Sequence, residues 1–176
     1  IKRLIEGFKI PVIEAPGYEA DDIIGTLAKK AEKNGYITYM MTPDKDFGQL
    51  VTENIFMFKP PRGGGSFEIL GVKEICEKWQ IKNVNQLIDI LGMMGDTADN
   101  IPGIPGVGEK TAIKLVQEFG SMENLYKNTD KLKGKLKEKV ENNKEQAFQS
   151  KHLATIIVDV PVEFEEDKLI MEEPDK

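Results

Sequence analysis

Apolar positions in the first seventy residues switch between short runs and helical spacing. Residues 10–14, Ile-Pro-Val-Ile-Glu, predict a short strand closed by a Pro16-Gly17 turn. Residues 19–34 follow at helical spacing. Ile23, Leu27 and Ala31 mark one face, Ile24 and Ala28 widen it, and Gly35 stops it. Residues 36–41 predict a buried strand, broken by Thr42-Pro43-Asp44, and residues 45–51 a short helix leading to a strand at 55–58. Pro60-Pro61-Arg62-Gly63-Gly64-Gly65-Ser66 predicts a hairpin tip before a strand at 67–70. Strands and helices in alternation with short connections predict an α/β part: a Rossmann-like, mostly parallel sheet with flanking helices.

After Gly71 only helical spacing remains, over 72–79, 84–94, 109–119, 122–126, 135–142 and 144–157. From Val158 the chain turns acidic and proline-punctuated, and residues 172–176 read as a linker stub. The opening, Ile1 to Phe8, lacks Met and has the spacing of a helix already under way, so the chain reads as a fragment. The expected organisation is an α/β part over 1–70, a helical part over 71–165 and a linker over 166–176.

Composition changes this picture little: 176 residues, 40% hydrophobic and 31% charged, suit one globular unit. A single cysteine, Cys76, excludes an internal disulfide and a cysteine-rich zinc site, which fits a reducing cytoplasm. No stretch approaches the ~20 apolar residues of a membrane span, and no membrane partner is expected. The net charge of −6 argues against a nucleic-acid partner until its distribution is examined. Residues 108–151 hold ten lysines against seven acids, leaving −9 on the remainder. An acidic centre beside a basic flank suits an enzyme whose acids hold cations and whose lysines hold a polyanion. Two solvated surfaces of opposite charge give the same tally.

Three acidic clusters stand out: Glu19-Ala20-Asp21-Asp22 opening a helix, Asp44-Lys45-Asp46 just past a strand, and Asp96-Thr97-Ala98-Asp99 ending a helix before a turn. Each alone has an ordinary role, as helix-dipole partner or N-cap. Together they differ. Ligand sites in open parallel sheets gather at the carboxyl ends of strands, so the first two clusters are expected at one rim. Carboxylates crowded to ~4 Å repel by several kcal/mol at intermediate dielectric, and divalent cations relieve this. Oxygen ligands without His or Cys select Mg²⁺ or Mn²⁺ over zinc.

Ile101-Pro102-Gly103-Ile104-Pro105-Gly106-Val107-Gly108-Glu109-Lys110-Thr111 imitates a phosphate-binding P-loop. That motif needs Gly directly before Lys-Thr and a strand before the loop. Here Glu109 stands at that place and a helix precedes. A helix–hairpin–helix fits better: Gly106 and Gly108 allow close backbone approach, and Lys110 with the first amides of the next helix would grip a phosphate without reading sequence. An ordinary connector between helices has the same outline.

Gly17-Tyr18-Glu19-Ala20-Asp21-Asp22, Thr42-Pro43-Asp44-Lys45-Asp46, Gly95-Asp96-Thr97-Ala98-Asp99-Asn100-Ile101-Pro102-Gly103 and Gly106-Val107-Gly108-Glu109-Lys110-Thr111-Ala112 occur in this order. In them the chain resembles the 5′-nuclease (5′-3′ exonuclease) domains of bacterial DNA polymerase I, members of the flap-endonuclease family. The resemblance spans essentially the whole chain. It implies a PIN-like α/β fold followed by a helix–hairpin–helix around 95–119. It also implies a two-metal phosphodiesterase that removes 5′ flaps, RNA primers or nucleotides ahead of a polymerase in bacterial replication and repair. Glu19, Asp21, Asp22, Asp44, Asp46, Asp96 and Asp99 would serve the metals. Gly106, Val107, Gly108, Lys110 and Thr111 would hold the duplex, with K⁺ at the turn. The family's leading strand, which carries another metal-site aspartate, and its basic helical arch have no counterpart in the sequence. A non-catalytic, structure-selective DNA-binding fragment is therefore the alternative. No residue suggests a general base beyond the metal ligands. His152, far from the motifs, reads as a surface or partly packed residue, and Cys76 and Trp79 as helix core or its edge.

Overall fold

The computed structural model describes residues 2–61, 66–170 and 172–174. Arg62, Gly63, Gly64 and Gly65 of the expected hairpin tip lie outside the described residues, as do Ile1, Met171, Asp175 and Lys176. The chain divides into two compact units, residues 1–38 with 157–176, and residues 39–156.

In the first unit, helix α1 spans Lys2–Gly7 and helix α2 spans Ala20–Lys33, opened at Glu19 and closed before Gly35 at φ 85°. The apolar face of α2 buries Ile23, Ala28 and Ala31, while Ile24, expected on that face, is exposed. Its polar residues explain the rest. Asp22, Thr26 and Lys30, spaced i, i+4 and i+8 on one face, satisfy the backbone of the segment after Ile156. Asp22 Oδ1 accepts from Ile157 N at 2.8 Å, Thr26 Oγ1 accepts from Val160 N at 3.1 Å, and Lys30 donates to Val162 O. Val160 and Val162 thereby pack on Ile23, flanked by Ile13, Ala15 and Leu27. The acidic composition after Val158 hides this docking. The strand expected at 10–14 does not form: Pro11 lacks an amide to donate, and Ile10 and Val12 are exposed.

The second unit carries a three-stranded sheet in the order β1-β2-β3, from β1 (Thr38–Met41), β2 (Ile55–Lys59) and β3 (Glu68–Leu70). Strands β2 and β3 are antiparallel, with Met57 opposite Leu70, as a hairpin requires. Strand β1 is narrower than expected and buries only Met40, because Tyr39 and Met41 point to an open face where Tyr39 stacks on Phe56 at 5.4 Å. A 3-10 turn, Lys45–Leu50, follows β1.

Six helices follow: α3 (Val72–Trp79), α4 (Gln86–Met94), α5 (Glu109–Phe119), α6 (Met122–Lys127), α7 (Gly134–Asn142) and α8 (Lys144–Leu153). Helix α4 is the centre. Leu87, Ile90, Leu91 and Met93 are all buried, so it presents apolar surface to nearly every side and packs on α5 and α8. Each such side chain contributes about 1.5–3 kcal/mol by leaving water. A Cβ on Gly92 would lie 2.6 Å from Lys151 Cα, so glycine there sets the close α4–α8 approach. Asp89 is the one carboxylate buried within α4. Its Oδ1 accepts from Met122 N at 3.1 Å and from Lys151 Nζ at 2.6 Å, and Lys151 also reaches Glu123 at 2.7 Å. Helix α8 stops at Leu153 rather than 157, where Gln49 takes over the chain: it donates to Ala154 O at 2.9 Å and accepts from Ile156 N at 3.0 Å. Among the described residues no helix is long and apolar enough to cross a membrane.

Candidate metal centre and DNA-binding turn

Two features of the second unit bring carboxylates together. Past β1, Asp44 caps the 3-10 turn, its Oδ1 accepting from Asp46 N at 3.0 Å, and this cap aims Asp46 away from solvent. Past α4, residues 96–101 fold back on themselves. Asp96 N donates to Ile101 O at 2.8 Å and Ile101 N to Asp96 O at 2.7 Å. Gly95 and Gly103 make that fold possible. Both have positive φ, 68° and 60°, and a Cβ on Gly95 would stand 2.7 Å from Gly103 N.

Carboxylate oxygens of Asp46, Asp96 and Asp99 lie within 4.8 Å of one another. Asp46 and Asp96 are half-buried and Asp99 is exposed, so the group opens to solvent on one side. Lys45 threads it, donating to Asp96 Oδ2, with its ammonium 3.3 Å from Asp46 Oδ1. Burial pushes the Asp46 carboxyl up, opposed by the Lys45 charge and reinforced by Asp44. The Lys45 hydrogen bond, with the Ala98 N–H at 2.8 Å, holds Asp96 below the usual carboxylate range. Burial works to lower the Lys45 ammonium, but the hydrogen bond to Asp96 and the charges of Asp46 and Asp96 outweigh it, and its pKa rises.

The donor set suits a hard divalent cation. All three groups offer oxygen, and Asp46 Oδ1 is buried without a hydrogen-bond partner. A buried acceptor left in that state costs about 1–3 kcal/mol unless something positive faces it. Lys45 partly fills that role, so the cluster already recruits positive charge.

The remaining sequence-derived ligands sit differently. Asp44 is exposed and engaged as a cap, outside the group of three. Glu19, Asp21 and Asp22 belong to the first unit, at the start of α2. There Asp22 is buried, accepting from Ile157 N at 2.8 Å and, through Oδ2, from Glu19 N at 3.3 Å, while Asp21 Oδ1 accepts from Asp22 N at 2.8 Å.

The turn expected to bind DNA lies just beyond Gly103. Ile104 N bonds back to Met93 O at 2.8 Å, and Val107, buried, donates to Ile104 O at 2.9 Å. These contacts pin the turn from below and leave Gly106, Gly108 and Lys110 exposed, with Thr111 half-buried. Gly108 opens α5 without a side-chain cap, and the space its Cβ would take is open. The Lys139 ammonium donates to Gly106 O at 3.4 Å. Sequence reasoning missed both lysines, Lys45 at the carboxylates and Lys139 at the turn. The alternation Asp44-Lys45-Asp46 was the available signal for the first; for the second, 33 residues away, there was none. His152 is exposed, Trp79 is buried and Cys76 is half-buried, as expected.

A mixed α/β part with strand-end carboxylates, continued by a helical part with a hairpin between helices, defines the class of the 5′-nucleases. The chain belongs to the 5′-3′ exonuclease family: residues 1–80 match its N-terminal resolvase-like domain and residues 82–176 its C-terminal SAM fold. It is 47% identical to DNA polymerase I of Bacillus subtilis over 93% of its length, and 40% identical to DNA polymerase I of Bacillus caldotenax over 100%. It spans only 18% and 20% of those two proteins. Its fold is similar to that of the bacteriophage T5 flap endonuclease, solved as a pseudo-enzyme–product complex with DNA and metal ions. The TM-score is 0.68 at 25% identity, covering 86% of this chain and 53% of that one.

Proposed function

We propose that this chain is the 5′-nuclease part of a bacterial DNA polymerase I, a cytoplasmic protein, and hydrolyses DNA phosphodiester bonds at 5′ flaps, nicks and RNA primer junctions. In this reading residues 1–70 form the nuclease core and 71–165 the DNA-binding part, with 166–176 leading to a polymerase portion. The observation that carries the reading is the Asp46–Asp96–Asp99 cluster: Asp46, past β1, meets Asp96 and Asp99 on the folded-back loop that leads into the hairpin turn, and its buried Oδ1 lacks a hydrogen-bond partner.

Asp46, Asp96 and Asp99, with Asp44 on the same turn as Asp46, would hold Mg²⁺ or Mn²⁺, and Glu19, Asp21 and Asp22 of the first unit remain metal ligands on the strength of the family motif. When bound, such ions lower the pKa of water and stabilise a leaving oxygen. The protein's own part is positioning. The Asp44 cap fixes Asp46, the Asp96–Ile101 bridge fixes Asp96, and the exposed amides at Gly106 and Gly108, with Lys110 and Thr111, bind a phosphate of the duplex backbone. K⁺ at the turn belongs to the same proposal, and the Lys139 ammonium on Gly106 O supports it by marking that carbonyl as attractive to positive charge.

The second reading, a non-catalytic DNA-binding module, draws on Asp22. Both its oxygens serve backbone amides, which leaves it less free to ligate than the motif suggests. Incubation of an end-labelled 5′-flap duplex with the protein, with and without Mn²⁺, separates the two. Metal-dependent release of the flap supports the nuclease, and binding without release supports the module.

A further inference from the structure

Helix α8 contains no residue of the proposed metal or DNA sites, yet it holds the peptide that joins them. Gly103 N donates to Ser150 Oγ at 3.0 Å, and Gln146 Nε2 donates to Gly103 O at 2.7 Å. Ser150 and Gln146 are i and i+4 neighbours on α8, one face clamping both polar groups of a single residue. Ser150 is fully buried, and its hydrogen bond to Gly103 is buried with it.

Gly103 is the joint of the folded-back loop. On one side it packs against Gly95, and a Cβ on Gly103 would stand 2.6 Å from Met94 C, two residues before Asp96. On the other side the chain passes through Ile104, tied to Met93 O, into the exposed turn at Gly106 and Gly108. A shift of the Gly103 peptide therefore moves the carboxylate loop and the phosphate-binding turn together. The close α4–α8 crossing at Gly92, beside Lys151, leaves α8 little room to follow it.

We infer that Ser150 and Gln146 are positioning residues that set the Asp96–Asp99 carboxylates and the Gly106–Gly108 amides in one fixed register, so that metal and DNA affinity depend jointly on α8. The inference rests on the nuclease reading above. Removing either partner leaves a polar group of Gly103 unsatisfied, and the peptide rotates to find water.

The test compares Ser150→Ala, Gln146→Met and the wild type. Mn²⁺ affinity is measured by calorimetry, 5′-flap duplex affinity by fluorescence anisotropy, and stability by urea unfolding. Ala147→Gly is the control. It loosens the same helix at a buried position and removes neither hydrogen bond to Gly103. Both clamp variants should weaken Mn²⁺ and duplex binding by about tenfold each, whereas Ala147→Gly should lower stability and leave both affinities in place. If Ser150→Ala does not fold, the half-exposed Gln146 gives the answer through Gln146→Met. Clamp variants that lose stability but keep both affinities, or lose only one, overturn the inference alone. A wild type that binds neither ion nor duplex overturns the nuclease reading and the inference with it.

Discussion

Lys45 donates a hydrogen bond to Asp96 across 51 residues of chain, and the same ammonium lies 3.3 Å from Asp46 Oδ1. A lysine in the middle of a carboxylate cluster balances charge that a divalent ion would otherwise balance. The two cations therefore compete for the same oxygens.

Replacing Lys45 with Met removes the competitor and keeps the aliphatic bulk. Manganese affinity should rise by roughly three- to tenfold, as expected for a unit charge at ~4 Å in a partly exposed site. The metal-free protein should lose stability in urea, because Asp46 and Asp96 then repel without relief. Weaker manganese binding in Lys45→Met would show instead that Lys45 helps to hold the loaded site.

Gly95 and Gly103 carry the loop on which Asp96 and Asp99 sit. Alanine at Gly95 meets a positive φ of 68° and the Gly103 amide at 2.7 Å, both backbone constraints that cannot yield cheaply. Gly95→Ala should cost about 2–4 kcal/mol of unfolding free energy, strain and overpacking together. A loss under ~0.5 kcal/mol, the ordinary scale of surface changes, would mean that the loop opens freely.

Tyr126 sets an alkaline limit. Burial pushes its phenol up to about 12, and its hydroxyl donates to Val140 O at 3.1 Å. The folded state thus holds the proton more tightly than the unfolded chain, whose tyrosine ionises near pH ~10. The contribution is fully present below ~10 and is lost as pH rises toward 12. Urea midpoints of the wild type should fall over that window. Tyr126→Phe, weaker at pH 8 for want of the hydrogen bond, should fall less steeply. Parallel curves would remove Tyr126 as the cause.

Lys110 is exposed at the start of α5, where a phosphate would approach. Lys110→Ala should weaken duplex binding and lower the salt slope by about one contact, with little dependence on sequence. An unchanged slope would move the interface to the lysines of residues 131–139, which Lys139 already brings to Gly106.

The legible parts of this chain were those with local punctuation. Helices α3 and α5 run from Val72 to Trp79 and Glu109 to Phe119, the bounds their spacing predicts, because Gly71, Gly108 and Gly120 frame them. Residues 10–14 had the apolar run of a strand, but a strand also needs a partner, and spacing carries no information about partners. Val160 and Val162 hid among acids because what docks them is polar: Asp22, Thr26 and Lys30 supply the hydrogen bonds, and a search for apolar stripes passes over them. At the candidate site the acids were visible as types and clusters. That Asp46, Asp96 and Asp99 converge, and that Asp44 Oδ1 and both Asp22 oxygens accept from backbone amides, depends on turns and caps that residue spacing does not specify.

The most direct test of the account is calorimetric titration of Mn²⁺ into the wild type and Asp46→Asn. Asparagine keeps the size of the side chain and one oxygen but removes the charge, at the position whose buried Oδ1 lacks a hydrogen-bond partner. The account predicts saturable manganese binding in the wild type and an affinity at least about tenfold weaker in the variant, the order expected when a charged ligand becomes neutral. Superimposable isotherms would contradict it, because the carboxylates of Asp46, Asp96 and Asp99 would then not be the metal centre.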